Sequence, residues 1–453
     1  MKNRKGLIIG VLLFALLVGF SFVLDSSKKE SIKELQTTVL SVNNSTVTLR
    51  DSEDVIYTFN AFDMDVDVGD NILVKYTGVL DECEIVQDAS LVDYKNITVS
   101  VDEDRIPISY KDGGIFSDYY VLAYNKLQEL SLDEKIGQLL LVRYFDDKVT
   151  EKLEKYKFSG FVFYEKDFKD KTKTEVQKMI NSLQKSSEIP LLTAVDEEGG
   201  DVVRIGSNPN LVSSKFKSSK ELYNNGGFKA IKEDTINKSK VLNNLGLNLN
   251  LAPVVDVATD PNAYIYPRTI GEDVNITSEY AKTVIEASKG TKVSYTLKHF
   301  PGYGNNLDTH ISTSTDTRSY ENIMNNDIKP FESGIEAGAE AVLVSHNIVT
   351  SIDKDSPASL STSIHNLLRS NLNFTGVIIA DDISMGALSQ VDNVAVKAIL
   401  AGNDLIITTD YETSFNSIKN AINENKISEE LIDKLAFRVL AWKYYKGLMI
   451  DLK

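Results

Sequence analysis

Cysteine and histidine are both scarce in this chain of 453 residues. Cys83 is the only cysteine, which excludes an internal disulfide and any zinc site built from several cysteines. Two of the four histidines lie in one short stretch, KHFPGYGNNLDTHIST, at residues 298–313. Because histidine is the side chain whose unperturbed pKa lies nearest neutrality, this stretch is either a catalytic loop or a polar turn.

Positive charge is in deficit as well. The chain has 49 Lys and Arg against 65 Asp and Glu, a formal net charge of −16. Such a surface repels phosphate backbones, and no basic stripe offsets it, so nucleic acid is not expected as a partner. A neutral or cationic substrate is easier to accommodate. The apolar content of 42% is ordinary for a globular protein and predicts a substantial core.

Signatures of nucleotide and metal binding are missing. Neither G-x-G-x-x-G nor G-x-x-x-x-G-K-[ST] occurs at a strand-to-helix turn, so a nucleotide-binding fold has little support. Asp308 and His310 are spaced as D-x-H, but no third ligand lies nearby in the sequence. The pair is therefore weak grounds for a metal, and no metal site is predicted.

One long apolar run is present, at the N-terminus. Basic residues within the first five positions precede an uncharged apolar run from Gly6 to Leu24. At about 1.5 Å per residue, this run is long enough to cross a hydrocarbon core of roughly 30 Å. Positive charge belongs on the cytoplasmic side, so the rest of the chain is expected outside the cell. Residues 1–28 are predicted to be a signal anchor, with a cleaved signal peptide as the alternative.

Residues 29–100 have the pattern of a small all-β domain. The runs TTVLSV, STVTLR, VIYTFN and NILVKYTG alternate in the manner of strands, and turn residues at 43–45 and 68–71 divide them. This spacing predicts a small antiparallel barrel or sandwich. It contains no catalytic constellation, so we expect a spacer or wall-facing module. A polar linker at residues 101–119 follows.

From residue 120 to residue 453, apolar strands alternate with helical stretches. KTEVQKMINSLQK, for example, places Val176, Ile180 and Leu183 on one helical face. Near-continuous apolar strands separated by crossovers are typical of a parallel sheet buried on both faces. Their number predicts an α/β fold with a closed, TIM-like (β/α)8 barrel, and an open doubly wound sheet is the alternative. The predicted strands cover residues 138–145, 160–165, 190–196, 249–257, 294–300, 339–346, 375–382 and 403–409.

Polar residues follow most of the predicted strands, at the barrel end where active sites form. They include Asp196 with the EEGG after it, Asp256, Lys298 with His299, His346, and Asp381 with Asp382. Any one of them could simply cap the next helix, but capping does not explain so many. Because adjacent strand residues point to opposite sides, only one of Asp381 and Asp382 can face the barrel mouth, and that one is a candidate nucleophile.

Asp308 and His310 form the other candidate pair. With one residue between them in extended backbone they share a face, so the carboxylate could accept from one imidazole nitrogen and leave the other for a substrate. This pairing would favour the imidazolium form and supply a general acid near neutral pH. A loop-stabilising ion pair is the alternative explanation.

Together these motifs resemble family 3 glycoside hydrolases, and within them the β-N-acetylglucosaminidase (β-N-acetylhexosaminidase) branch. The similarity runs in the family's order through LSLDEKIGQLLLV, DEEGGDVVRI, LNLAPVVDV, PRTIGED, KHFPGYGNNLDTH, PASLS, IIADDISM and AGNDLII. K-H-F-P-G followed by D-x-H distinguishes this branch from the family's two-domain β-glucosidases. The resemblance implies a TIM-like barrel, no cofactor, and retaining release of terminal β-linked N-acetylglucosamine, commonly from peptidoglycan fragments.

The resemblance also implies roles for particular residues. Asp381, the first residue of the DD pair, would be the nucleophile, and His310 would be the general acid and base, oriented by Asp308. The residues that match the family's substrate-holding positions are Asp196, Arg204, Arg268, Lys298 and His299. Charged side chains with several donors suit that task, because buried sugar hydroxyls need strong hydrogen-bond partners.

The chain departs from the usual pattern of the branch at Glu197, Asp201 and Tyr303. None of these changes removes a residue that the mechanism requires, so we expect them to affect subsite preference or loop packing. The two histidines outside the 298–313 stretch are expected to be structural. His346 is expected in the core with hydrogen bonds, and His365 at the surface of a helix.

The leading hypothesis is a membrane-anchored, outward-facing exo-β-N-acetylglucosaminidase that acts on cell-wall glycans. The protein would be secreted if the N-terminal segment is cleaved. Two alternatives stay open. One is a glycoside phosphorylase, because a histidine acid/base repels an incoming phosphate less than a carboxylate would. The other is a non-catalytic cell-surface sugar-binding protein, although nucleophile, acid/base and orienting aspartate are all present in the sequence.

Overall fold

The fold is that of a computed structural model, which describes residues 33–43, 46–51, 55–60, 70–78, 89–96, 105–304 and 314–449 and positions 64, 66, 68 and 80. The chain divides into two compact units between residues 100 and 101. The predicted anchor and the pair Asp308 and His310 lie outside the described residues. No helix in the described part of the chain combines the length and the apolar character needed to span a membrane.

The first unit is an antiparallel sheet of five strands in the order β3-β2-β1-β4-β5. Its strands are β1 (Lys33–Asn43), β2 (Thr46–Asp51), β3 (Ile56–Asn60), β4 (Asn71–Gly78) and β5 (Ala89–Asn96). Alternate side chains, such as Val47 and Leu49 on β2 and Ile72 and Val74 on β4, are buried in one core. The prediction of a small all-β domain is confirmed, and among the described residues it is a single sheet.

The second unit is a closed barrel of eight parallel strands in the order β6-β7-β8-β9-β10-β12-β14-β15. The barrel strands are β6 (Leu140–Arg143), β7 (Gly160–Phe163), β8 (Leu192–Val195), β9 (Leu249–Asn250), β10 (Ser294–Phe300), β12 (Ala341–Val344), β14 (Val377–Ala380) and β15 (Leu405–Thr408). The prediction of a TIM-like barrel is confirmed. The open-sheet alternative is wrong, because β6 pairs with both β7 and β15.

Each predicted strand corresponds to one barrel strand, and β9 differs most in length. Regular pairing covers only Leu249–Asn250 rather than residues 249–257. Beyond it, Pro253 offers no backbone N–H, and contact with β10 resumes as an isolated bridge between Val254 and Lys298.

Helices connect the strands and cover the barrel. They are α1 (Tyr120–Glu129), α2 (Leu132–Gly137), α3 (Val149–Tyr156), α4 (Glu165–Phe168), α5 (Lys173–Lys185), α6 (Ser219–Asn244), α7 (Val274–Ser288), α8 (Tyr320–Asn325), α9 (Ile328–Glu336), α10 (Thr362–Asn366), α11 (Val394–Ala401), α12 (Tyr411–Asn423) and α13 (Glu429–Tyr445). Two short strands, β11 (Thr315–Asp316) and β13 (Ile348–Val349), pair in parallel as a separate sheet. Local sequence sets the helix starts: α5 begins after Thr172 because the Glu175 carboxylate accepts the Thr172 N–H at 2.7 Å.

At the N-terminal end of the barrel, a lysine is buried with neutral partners. Lys443 on α13 donates from Nζ to Gln138 Oε1 at 2.7 Å and to the Ser159 carbonyl at 3.0 Å. No carboxylate of the described residues lies within 4.0 Å of Nζ. Burial lowers the pKa of Lys443 well below its ordinary value, because the ammonium form loses its hydration.

We expect Lys443→Met to raise the free energy of unfolding by about 1–3 kcal/mol at neutral pH, because methionine has no charge to desolvate. The folded-state pKa lies below the unfolded value of about 10.4, so wild-type stability rises with pH between the two. The difference in unfolding free energy between Lys443→Met and wild type therefore decreases as the pH rises from the folded-state pKa to the unfolded-state pKa. Urea unfolding followed by the fluorescence of Trp442, the only tryptophan, measures both effects. Exposed Lys397→Met is the control, and a Lys443→Met protein no more stable than wild type would contradict this expectation.

Candidate active site

The carboxyl ends of the barrel strands bring the predicted substrate-holding residues together. Asp196 directly follows β8, and Lys298 and His299 lie near the end of β10. Arg204 and Arg268 reach the same end from the loops after β8 and β9, where each contacts a carboxylate. In a parallel barrel these ends open on one face, the face on which catalytic side chains lie.

Seven side chains at this face form one continuous series of contacts, which we name the ion-pair chain. In order of contact its members are Arg204, Asp196, Lys298, Glu198, Arg268, His299 and Asp256. Arg204 Nη2 lies 3.5 Å from Asp196 Oδ2, and Lys298 Nζ donates to Asp196 Oδ1 at 2.7 Å. Every substrate-holding residue predicted from the sequence belongs to this chain.

Glu198 lies at the centre of the ion-pair chain and is not among the predicted residues. Its Oε1 lies 2.7 Å from both Lys298 Nζ and Arg268 Nη2, and its Oε2 accepts from Arg268 Nε at 3.0 Å. Burial opposes ionisation, but the two cations hold the pKa of Glu198 far below its ordinary value. The sequence did carry a signal, because Asp196 and Glu198, one residue apart in extended backbone, share a face.

Lys298 is held in its charged form. Burial lowers its pKa, but Asp196 and Glu198 outweigh burial and raise it above the ordinary value. The two carboxylates occupy two of the three N–H groups of the ammonium. One N–H of the ammonium is thus left for a ligand.

His299 is oriented by Asp256 on one side and Arg268 on the other. Asp256 Oδ2 lies 2.8 Å from His299 Nδ1, and Arg268 Nη2 lies 3.2 Å from His299 Nε2. Because a guanidinium can only donate, Nε2 must accept, so the neutral imidazole carries its proton on Nδ1 and donates it to Asp256. Asp256 is itself buried and also accepts the backbone N–H of Tyr303 at 2.7 Å.

Glu197 fixes the loop that carries Arg204. Its buried carboxylate accepts the backbone N–H groups of Arg204, Ile205 and Gly206 at 2.7, 2.8 and 3.2 Å. A side chain at position 206 would bring its Cβ within 2.7 Å of Glu197 Oε1, so only glycine allows this approach. Burial raises the pKa of Glu197 despite these donors. This departure from the branch pattern therefore serves loop packing.

Asp381 and Asp382 differ in how much of each carboxylate is occupied. Asp382 accepts from the Ser384 N–H at 2.9 Å and from Thr409 Oγ1 at 3.2 Å, so both of its oxygens are used. Asp381 accepts only the Asp382 N–H, at 2.8 Å through Oδ1, among the described residues. Asp381 Oδ2 is thus left without a hydrogen bond among the described residues, and the role of Asp381 as nucleophile stays a prediction.

The stretch leading to the predicted acid/base is anchored at the end of β10. The Gly302 N–H donates to the His299 carbonyl at 2.8 Å. Tyr303 is buried and packs edge-on against the His299 ring, with centroids 5.2 Å apart. Tyr303 therefore also has a packing role. Asp308 and His310 fall in the span that the structure does not describe, and their roles stay predictions.

The two remaining histidines are both buried. His346 contacts Ser359 Oγ at 2.7 Å through Nδ1 and the Asp382 carbonyl at 3.0 Å through Nε2, so the expected core role holds. The expected surface position of His365 is wrong. Its Nδ1 lies 2.8 Å from the Ser361 carbonyl, one turn earlier, and the ring packs towards Gly402.

The chain is similar to known proteins over most of the barrel unit. The family model described as the glycosyl hydrolase family 3 N terminal domain matches residues 131–442. A beta-hexosaminidase of Xylella fastidiosa is 29% identical over 303 residues, which cover 65% of this chain and 88% of that protein. A beta-hexosaminidase of Xanthomonas campestris is 29% identical over 300 residues, with the same coverage. The solved structure of a family 3 beta-N-acetylglucosaminidase from a Paenibacillus species is 26% identical, with a TM-score of 0.67, and the match covers 72% of this chain and 65% of that one.

Proposed function

Since this chain belongs to glycosyl hydrolase family 3 and is a glycoside hydrolase, we propose that it is a retaining exo-β-N-acetylglucosaminidase acting on cell-wall glycans. The observation that carries the proposal is the combination, at one barrel mouth, of the ion-pair chain and an aspartate with a free oxygen, Asp381 Oδ2. Fixed charged donors suit a sugar with several hydroxyls and an N-acetyl group. The relatives named as hexosaminidases support the same sugar class.

In the first half-reaction, Asp381 Oδ2 attacks the anomeric carbon while the bond to the leaving sugar breaks. His310, as imidazolium, gives its proton to the leaving oxygen, and a glycosyl ester of Asp381 forms. In the second, neutral His310 takes a proton from water, the water oxygen bonds to the anomeric carbon, and the ester bond breaks. Two displacements at one carbon return the β configuration. Asp308 keeps the imidazole oriented in both steps.

The proposal is tested with 4-nitrophenyl N-acetyl-β-glucosaminide, the matching β-glucoside, and added phosphate. We expect release of nitrophenol from the N-acetylated substrate at a rate at least tenfold above the glucoside, with β-N-acetylglucosamine as the first product in proton NMR. The α anomer as first product would refute retention. Sugar 1-phosphate as the main product with phosphate present would replace hydrolysis by phosphorolysis. No turnover of either substrate would favour a sugar-binding role.

The site of action is proposed from the N-terminal sequence. The apolar run from Gly6 to Leu24 follows basic residues, and this arrangement supports the proposal that the barrel lies outside the cell and is anchored to the membrane. In fractionated cells, the full chain should sediment with membranes and resist carbonate extraction, and a chain lacking residues 1–28 should not. Equal extraction of the two chains would refute the anchor.

A further inference from the structure

Across the barrel mouth from the end of β10 lies a second group of cationic and aromatic side chains. Arg143 is the last residue of β6, and β6 stands opposite β10 in the ring of eight strands. Tyr164 directly follows β7, the next strand. The Arg143 guanidinium lies 4.4 Å from the centroid of the Tyr164 ring, and the Arg204 guanidinium lies 5.3 Å from the same centroid. We name Arg143, Tyr164 and Arg204 the arginine–tyrosine wall.

The arginine–tyrosine wall faces the reacting centre. Burial raises the pKa of the Tyr164 phenol, and the carboxylates of Asp196, Asp382 and Asp381 raise it further. The ring therefore lies among the carboxylates of the barrel mouth, between β8 and β14. A guanidinium stacked on this ring is preorganised by the cation–π contact and loses little freedom when it binds a ligand.

Arg143 differs from the other cations of the mouth in having no carboxylate in direct contact among the described residues, and its charge acts on the Asp167 carboxylate only from beyond contact distance. Lys298, Arg268 and Arg204 each contact a carboxylate in the ion-pair chain. Arg143 makes no ion pair within 4.0 Å and donates no hydrogen bond to any described residue. Its Nε is buried and unpartnered, and the Nε of Arg204 is too.

A buried donor without an acceptor, such as the Nε of Arg143, is unfavourable. The chemistry of the donor indicates which acceptor is missing. A planar guanidinium with several N–H groups matches the two oxygens of a carboxylate. A neutral hydroxyl would satisfy one N–H and leave the charge uncompensated. The wall is thus complementary to an anionic group brought by the substrate.

We propose that Arg143, supported by Tyr164 and Arg204, is a specificity-determining residue that binds a carboxylate substituent of the glycan substrate. The inference rests on the proposed function, because it assigns the wall to the substrate of that same site. The carboxylate is an ether substituent on the sugar that is released as the leaving group, because the terminal sugar of the proposed substrate, N-acetylglucosamine, has no carboxylate.

The test compares two disaccharides that differ by one carboxylate. N-acetylglucosaminyl-β-1,4-N-acetylmuramic acid has a lactyl ether that N,N′-diacetylchitobiose lacks. We expect Arg143→Met to lower kcat/KM for the first by about 10- to 100-fold, as loss of a charge-assisted hydrogen bond does, and for the second by less than about threefold. Arg143→Lys should restore part of the loss, since it keeps the charge without the planar pair of donors. Arg105→Met, at an exposed position, is the control and should match wild type on both substrates.

A binding measurement reads the same preference without turnover. Calorimetry with N-acetylmuramic acid, N-acetylglucosamine and glucuronic acid on wild type and Arg143→Met shows which carboxylate depends on Arg143. A loss of affinity confined to N-acetylmuramic acid supports the role of Arg143 at the leaving sugar, and a loss confined to glucuronic acid, or no loss for any of the three, overturns it.

The two proposals fail in distinguishable ways. If the wild-type enzyme hydrolyses neither disaccharide, the proposed function is refuted. Equal losses for the two disaccharides in Arg143→Met, or no loss for either, would leave that function standing and overturn the role of Arg143. The Trp442 fluorescence of each variant shows whether the barrel is folded in either case.

Discussion

Asp381→Asn is expected to lower kcat for release of N-acetylglucosamine by roughly 10⁴-fold, which corresponds to about 5.5 kcal/mol of transition-state stabilisation. The reason is Asp381 Oδ2, which accepts no hydrogen bond from the described residues. An amide has no charged oxygen with which to attack the anomeric carbon, and both carboxylate oxygens of the neighbouring Asp382 already accept hydrogen bonds. The backbone N–H of Asp382 can still donate to the asparagine oxygen, so the fold should not change. Steady-state kinetics with the chromogenic N-acetylglucosaminide measures the loss.

The neighbouring residue supplies the matched control. Asp382→Asn removes a charge one position away, from a carboxylate that already accepts from Ser384 and Thr409, and should retain at least a hundredfold more activity than Asp381→Asn. A fluorinated N-acetylglucosamine inactivator followed by peptide mass analysis should place the covalent label on Asp381. A label on Asp382, or equal activities of the two variants, would contradict the assignment of Asp381 as the nucleophile.

The second large effect is expected at Glu198. Replacing it by alanine would leave Lys298 and Arg268 as neighbouring buried cations, with their shared anion removed. Breaking a buried ion pair from one side costs about 3–5 kcal/mol, because the remaining charge is left without compensation. We expect a loss of unfolding free energy in that range and a kcat/KM at least a hundredfold lower, since both cations are also proposed to hold the sugar. Urea unfolding followed by Trp442 fluorescence measures the free energy of unfolding. Steady-state kinetics at low temperature, where the variant is still folded, measures kcat/KM.

Two further variants serve as an intermediate case and as a control for Glu198→Ala. Glu198→Gln keeps the size and an acceptor oxygen but not the charge, so its effect should lie between wild type and Glu198→Ala. Glu233→Ala removes a carboxylate that is 67% exposed beside Lys229 and should change stability by less than about 1 kcal/mol. A loss below that value for Glu198→Ala would mean that water or another carboxylate replaces the missing charge.

Much of the fold could be predicted because its strands are buried on both faces. An apolar run such as GVIIA before Asp381 is specified by burial alone, and burial is visible in one-dimensional sequence. The positions of Asp196, Lys298 and Asp381 followed from the rule that strand ends meet at one face. β9 was overestimated because the sequence after Asn250 stays apolar, whereas Pro253 interrupts the hydrogen bonds of the strand.

The rest of the site depends on contacts between distant segments, which periodicity does not encode. Glu198 becomes the centre of the ion-pair chain only when β10 and the loop after β9 bring Lys298 and Arg268 to it. Arg143 looks like an ordinary charged strand end until the structure shows that its buried Nε has no partner and that no carboxylate of the described residues lies within 4.0 Å of its guanidinium. His365 was expected at the surface of a helix, but packing against Gly402, a residue distant in sequence, buries it.

The ion-pair chain also bears on how this family member could diverge. Its first five members, Arg204, Asp196, Lys298, Glu198 and Arg268, alternate in sign, so each internal member has opposite charges on both sides. Changing an internal member, Asp196, Lys298 or Glu198, creates two electrostatic mismatches at once. A route to a different sugar would therefore have to pass through paired exchanges rather than single steps. The residues proposed to recognise the sugar would thus have to change together, which makes the sugar harder to change than the group that Arg143 is proposed to bind.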